Sequence, residues 1–274
     1  MAPGYLHTAH AAGTEEEIHS LPTYVTAGEP NRGIIVIISD MFGWQLPNTR
    51  LLADRIRRET GATVYVPDFL AGDSVPTEHL ELVGEPEGEP GFMEKAKWNF
   101  RRVQAFGPWL VRHRDAVSLP IVTAFFEALY KEDRTRTVMV AGYSWGGRYA
   151  LLLTHRNQWM MSNGGGYREG GFVNAAFVAH PTLLSVPSDI TAIARPTSLA
   201  LGDCDEVMGI KTVEQIQKLL EGKAASPEEV QTEVHVYEGA LHGFAVRADL
   251  GKVMDKEHYE GAAKQAVEWF KKFL

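Results

Sequence analysis

The chain has 274 residues, 45% hydrophobic and 23% charged, with a formal net charge of -8. That length suits one large α/β domain spanning residues 1–274 with a sizeable core. The acidic balance without a basic cluster argues against a nucleic-acid partner, and no apolar run reaches the roughly 20 residues of a membrane span.

The start, "MAPGYLHTAHAAGTEEEIHS", has neither the basic and apolar segments of a secretory signal nor the Arg-rich, acid-poor character of a transit peptide, so a cytoplasmic location is expected. Apolar, β-branched runs then recur: "GIIVIISD" (33–40), "TVYVPDF" (63–69), "TVMVAGYS" (137–144), "FVNAAFVAH" (172–180), "PTSLALGD" (196–203) and "TEVHVYEG" (232–239). Each reads as a strand buried on both faces. Segments of helical period separate them: "NTRLLADRIRRET" (48–60), "LPIVTAFFEALYKED" (119–133), "GIKTVEQIQKLLEG" (209–222) and "EHYEGAAKQAVEWFKKFL" (257–274). The alternation predicts an α/β fold, a mostly parallel twisted sheet with helices on both faces. No repeat or linker divides it. Residues 84–113 interrupt the pattern with "GEPEGEPG" followed by a segment rich in Trp, Phe and Arg, which predicts a loop and a small helical cap over the sheet edge.

The stretch "VMVAGYSWGGRYA" (138–150) contains Gly142-Tyr143-Ser144-Trp145-Gly146, a G-x-S-x-G pattern at a strand-to-helix junction. In such an elbow the serine occupies a strained backbone that exposes its hydroxyl, and side chains two positions to either side would collide with the adjoining strand and helix. The helix start directs its N–H groups and positive dipole end toward a developing oxyanion. The plain alternative is a serine that caps the helix between two turn glycines.

A serine needs a base, and the base an orienting acid. With the chain order Ser, acid, His, the downstream acids at a strand end are Asp203 and Asp205, and the histidines are His235, His242 and His258. His235 falls within a predicted strand and His258 at the start of the last helix. His242, in the loop "EGALHGFAVR", has the freedom to lean over the sheet.

The segments "SDMFGW", "LLADRI", "VYVPDF", "GYSWGG", "AHP", "GDCD" and "ALHGFAVR" together resemble the dienelactone hydrolase (carboxymethylenebutenolidase) family of α/β-hydrolases over roughly residues 20–274. The resemblance implies an α/β-hydrolase fold and cleavage of an ester or lactone. It selects Asp205 as the last residue of a G-x-x-D segment and His242 in the H-G-F segment, and it implies the N–H groups of Met41 and Trp145 as oxyanion donors. Well-known members carry cysteine where this chain has Ser144 and glutamate where it has Asp40. A serine cannot be stored as an anion near neutrality, so here His242 must activate it at the moment of attack.

The same resemblance suggests Arg247 as the holder of a substrate carboxylate, with Arg101 or Arg102 assisting; guanidinium geometry suits such a group. Asp40 either shapes the pocket, adjusts His242, or caps the following loop. His180 in "FVAHPT" forms a wall of the site or a satisfied structural histidine. Trp98, Phe100, Phe106 and Trp109 either line an apolar pocket or pack the cap onto the sheet.

The glycine cluster "NGGGYREGG" (163–171) lacks the spacing of a nucleotide cradle and reads as a flexible loop. No metal-ligand spacing occurs, so no metal or cofactor is implied. Cys204, the single cysteine, forms no internal disulfide and fits a reducing compartment. The expected activity is a serine hydrolase working on a small-molecule ester or lactone, as a monomer or homodimer. The rivals are a thioesterase or polyketide-processing hydrolase and, from another class, a ligand receptor with little turnover.

Overall fold

A computed structural model describes residues 4–84, 91–155, 171–224 and 230–274. In chain order the elements are β1 (Thr14–Ile18), β2 (Leu21–Thr26), β3 (Ile34–Ile38), α1 (Pro47–Thr60), β4 (Thr63–Pro67), a 3-10 turn (Thr77–Leu82), α2 (Phe92–Arg112), α3 (Asp115–Glu132), β5 (Val138–Tyr143), α4 (Trp145–Leu152), β6 (Ala175–Ala179), α5 (Ser188–Thr191), β7 (Thr197–Gly202), α6 (Ile210–Ala224), β8 (Thr232–Tyr237) and α7 (Val253–Lys271). They form one eight-stranded sheet ordered β1-β2-β4-β3-β5-β6-β7-β8, parallel from β4 through β8.

Every residue of β3, β5, β6 and β7 is buried, as their unbroken apolar runs require. Neighbouring side chains of β6 show what covers them. Phe177 meets Phe270 of α7 edge to face at 6.5 Å, whereas a Cβ on Gly147 of α4 would lie 3.3 Å from Val178. Successive strand residues point to opposite faces, so α7 and α4 cover opposite faces of the sheet. Helix limits follow local chemistry too: Pro47 opens α1, where its missing N–H costs nothing, and Gly61 closes it at φ 77°.

The structure departs from the sequence-based expectation in three places. First, β1 and β2 form an antiparallel hairpin joined to β4, with β1 on the sheet edge. Its turn residues, His19 and Ser20, have φ of 47° and 66° without a glycine between the strands. Tyr24 locks the hairpin to α1: its hydroxyl donates to Asp54 at 2.6 Å and accepts from Gly13 N at 2.6 Å, and burial with the Asp54 contact pushes its pKa to about 12. Second, β8 is the other edge, so His235 and Val236 are exposed rather than buried on both faces.

Third, the described part of the cap is the single helix α2. Its inner face buries Phe106 and Trp109, but Phe100 is 62% exposed, beside exposed Phe92, Met93, Val103 and Val111. Phe100 therefore belongs to neither proposed role, pocket lining or packing. Residues 85–90 of the acidic loop, and all of the 163–171 glycine cluster except Gly171, lie outside the described residues. Among the described residues no helix is long and apolar enough to cross a membrane.

Candidate active site

Ser144 occupies the junction between β5 and α4 at φ 53° and ψ -114°, a strained backbone for a residue with a side chain. It is held from three directions. Its N–H donates to Ala179 O at 3.1 Å, while its carbonyl accepts from Gly147 N at 3.0 Å and Thr182 N at 3.1 Å. A Cβ at Gly142 would overlap Ala150 and the Gly146 carbonyl; one at Gly146 would overlap the Ile38 and Ser39 carbonyls. Both glycines of the motif are thus steric requirements of the elbow. The serine side chain makes no hydrogen bond to cap α4, which disposes of the capping alternative.

The serine hydroxyl is aimed at His242 instead. Ser144 Oγ lies 2.8 Å from His242 Nε2, and His242 Nδ1 lies 2.9 Å from Asp205 Oδ2. Asp205 is 2% exposed, and its other oxygen accepts from Val207 N at 2.9 Å and Met208 N at 3.1 Å. With Oδ1 occupied by two backbone donors, Oδ2 faces the imidazole, and the Nδ1–H tautomer leaves Nε2 free to accept the serine proton. Asp203 faces elsewhere, accepting from Gly239 N at 2.6 Å. His235 is on the exposed edge strand, and His258 lies inside α7 against Tyr237 and Phe244.

Asp40 and Arg247, expected to act separately, are partners. The Arg247 guanidinium pairs with Asp40 Oδ2 and lies 5.2 Å from the Phe42 ring centroid; the two side chains are 3% and 1% exposed. Asp40 Oδ1 accepts from Phe42 N at 3.0 Å, so the loop-capping reading of Asp40 holds as well. No hydrogen bond joins Asp40 to His242 among the described contacts.

A model of the dienelactone hydrolase family matches residues 21–274. The chain belongs to the dienelactone hydrolase family. It is 26% identical to hydrolase pyvD of Aspergillus violaceofuscus over 99% of this chain and 94% of that protein. It is also 26% identical to the human carboxymethylenebutenolidase homolog, over 96% and 91%. Among solved structures it superimposes on a dienelactone hydrolase from Anabaena variabilis with a TM-score of 0.58, at 14% identity over 98% of this chain and all of that one. Carboxyl esterase 2 of Tuber melanosporum gives a TM-score of 0.53 at 14% identity, over 98% and 89%. The protein is accordingly a hydrolase of ester bonds on an α/β-hydrolase fold.

In this dienelactone hydrolase family member the remaining candidates divide clearly. Trp145 is the first residue of α4, so its N–H has no acceptor within the helix, and Met41 follows Asp40 in the loop after β3 with its carbonyl engaged by Val75 N at 2.8 Å. Trp98 is half-buried, packs on the core, and donates through Nε1 to Gly84 O at 3.4 Å. Trp109 is core and meets the Trp145 ring edge-on at 5.8 Å. Arg101 pairs with Glu81 at the surface, both side chains more than half exposed.

His180 is the surprise. It is fully buried, has φ 36°, meets the His242 ring edge-on at 5.1 Å, and has no hydrogen-bond partner on either ring nitrogen among the described residues. It is therefore not a satisfied structural histidine; burial, then the neighbouring His242, hold its pKa well below the ordinary value. Beside His242 a cleft opens, bordered by Gly4, Tyr5, Val83, Gly84, Glu206 and Arg247. Glu206 also approaches His242 N at 3.4 Å. Among the described residues no group of three or more His, Cys, Asp or Glu converges as metal ligands would.

Asn48, which contacts both the N-terminal segment and the loop following His242, had no signal in the sequence beyond an ordinary polar residue at a helix start.

Proposed function

We propose that the protein cleaves a neutral ester or lactone through an acyl-enzyme on Ser144. The carrying observation is the continuous hydrogen-bond chain from Ser144 Oγ through His242 to Asp205, at 2.8 and 2.9 Å. In this reading Ser144 Oγ attacks the carbonyl carbon as His242 Nε2 takes its proton, and Asp205 supports the imidazolium. The N–H groups of Met41 and Trp145 receive the oxyanion. Collapse expels the alcohol, which takes the proton from His242. Water then attacks the acyl carbon with His242 again as base, and Ser144 is regenerated with release of the acid.

The preference for a neutral substrate follows from charge. Arg247, the candidate anchor for a substrate carboxylate, is already matched by buried Asp40. The cleft beside His242 adds Glu206, Asp249 and Asp255. A substrate carboxylate would meet no surplus positive charge and three acidic neighbours, and so would lose hydration without gaining a partner.

Stopped-flow kinetics with p-nitrophenyl acetate test the reaction class: a burst of p-nitrophenol stoichiometric with enzyme is expected. A panel pairing neutral esters with carboxylated lactones tests the substrate class. A burst-free reaction, or higher kcat/KM on the carboxylated partner of each pair, would contradict the respective half.

A further inference from the structure

The cleft beside His242 is closed on one side by a part of the chain that lies upstream of the family-matched residues 21–274. Residues 4–7 run from the 3-10 turn to the loop following His242. Gly4 N donates to Leu80 O at 3.4 Å, Tyr5 N donates to Arg247 O at 3.2 Å, and His7 Nε2 lies 3.2 Å from Ala248 O. The passage is tight at Gly4, where a Cβ would come to 2.8 Å from Leu80 Cδ2 and 3.1 Å from Arg247 Cδ.

One side chain ties this strap down. Asn48, in the first turn of α1 and fully buried, donates from Nδ2 to Tyr5 O at 2.7 Å and to Val246 O at 2.9 Å, and its Oδ1 accepts from His7 N at 2.9 Å. Both amide hydrogens and the carbonyl are used, which is a demanding arrangement for a residue with no part in the core. Two of the bonds hold the strap. The third holds the turn that runs from His242 to Arg247.

We propose that Asn48 is a positioning residue that pins the N-terminal strap to the His242–Arg247 loop, and that the pinned strap decides which acyl and alcohol groups reach Ser144. The proposal rests on the hydrolase reading above. Ser144 is 1% exposed, and an opening beside His242 is the cleft lined by Gly4 and Tyr5 together with Val83 and Gly84. Releasing the strap removes one wall, so larger esters gain access. It also loosens the loop carrying the base, and misplacement of a catalytic group by about 1 Å costs about 100-fold.

Asn48→Asp is the sharpest variant because it keeps the shape and the bond from His7 but turns a donor into an anionic acceptor facing two carbonyl oxygens. The measurements are amide hydrogen exchange at residues 5–7, covalent labelling of Ser144 by a fluorophosphonate, and kcat/KM for p-nitrophenyl acetate and p-nitrophenyl decanoate. Exchange at Tyr5 and His7 is expected to accelerate and kcat on the acetate to fall about 10- to 100-fold. The decanoate-to-acetate ratio of kcat/KM should rise about 10-fold, a change that a merely structural defect, acting equally on both esters, would not produce.

Equal losses on the two esters, or no change on either, overturn the proposal. If Asn48→Asp loses its cooperative melt, Gly4→Val displaces the strap from the other side and must raise the same ratio; an unchanged ratio there overturns it. Failure of the hydrolase reading looks different: wild-type protein would not be labelled at Ser144 at all.

Discussion

Ser144 and His242, the proposed nucleophile and its proposed base, are held by opposite strategies. Ser144 is placed by the sheet itself: β5 delivers it, two glycines remove the side chains that would block the elbow, and its backbone bonds go to Ala179 of β6, Gly147 of α4 and Thr182 in the turn after β6. His242 comes from a loop beyond the exposed edge strand β8, and the contacts that hold this loop come from distant parts of the chain: Asp205 and Glu206 after β7, Asp40 after β3, Asn48 in α1, and residues 4–7. The lesson is that the elbow is specified by close backbone packing that tolerates little change, whereas the loop carrying His242 is held by long-range polar contacts that can be loosened one at a time.

That contrast breaks most visibly at the base itself. His242→Ala should lower kcat by about 10⁴- to 10⁶-fold, as a triad member does when the serine loses its proton acceptor; steady-state assays check it, and activity within about 10-fold of wild type would move the base elsewhere.

Next comes the buried ion pair. Arg247→Ala leaves the Asp40 carboxylate 1% exposed without its counter-ion, a change that typically costs about 3–5 kcal/mol of stability, read by denaturant melts. The double variant Asp40→Leu, Arg247→Met should regain much of that loss, because it removes the uncompensated charge as well as the pair. If Arg247→Ala leaves stability intact and only raises KM for carboxylated substrates, the arginine is a substrate anchor after all.

The acid sharpens the comparison. Asp205→Asn should lose at least about 100-fold in kcat because the imidazole loses its orienting anion, while Asp203→Asn, whose partner is Gly239 N, should stay within about 3-fold. Reversed effects would mean that the wrong carboxylate supports His242.

The smallest effect concerns His180, which links the two regions by touching His242 from the turn that braces the elbow. Its folded pKa is depressed by burial, so the unfolded chain binds the proton more readily. Stability is then fully present above the unfolded value near 6.5 and declines as pH falls below it, by at most about 1.4 kcal/mol per pH unit for this group. His180→Phe should flatten the stability profile by that slope between about pH 6.5 and 5. An identical slope in the variant would show that His180 is protonated in the folded state.

How much of this was legible in the sequence follows the same division. The buried strands announced themselves as apolar runs, and the elbow as two glycines around a serine at a strand end. The β1–β2 hairpin did not, because "TEEEI" is an exposed edge strand with four acidic or polar outward residues and its turn uses His19 and Ser20 in place of glycine. The Asp40–Arg247 pair was visible only as two separate candidates, since 207 residues lie between them and no local pattern encodes a partner. The outward aromatic of α2, Phe100, carries no sequence signal of its exposure because the helix is apolar on both faces, and hydrophobicity alone does not say which face meets the sheet. Asn48 was silent for the reason that makes it informative now: its three bonds all reach across the fold.

The most direct measurement is intact-protein and peptide mass spectrometry after reaction with a fluorophosphonate probe. One adduct per chain is expected, located on Ser144, abolished in Ser144→Ala and strongly slowed in His242→Ala. An adduct located on another residue, or hydrolytic turnover retained by Ser144→Ala, would contradict the account at its centre.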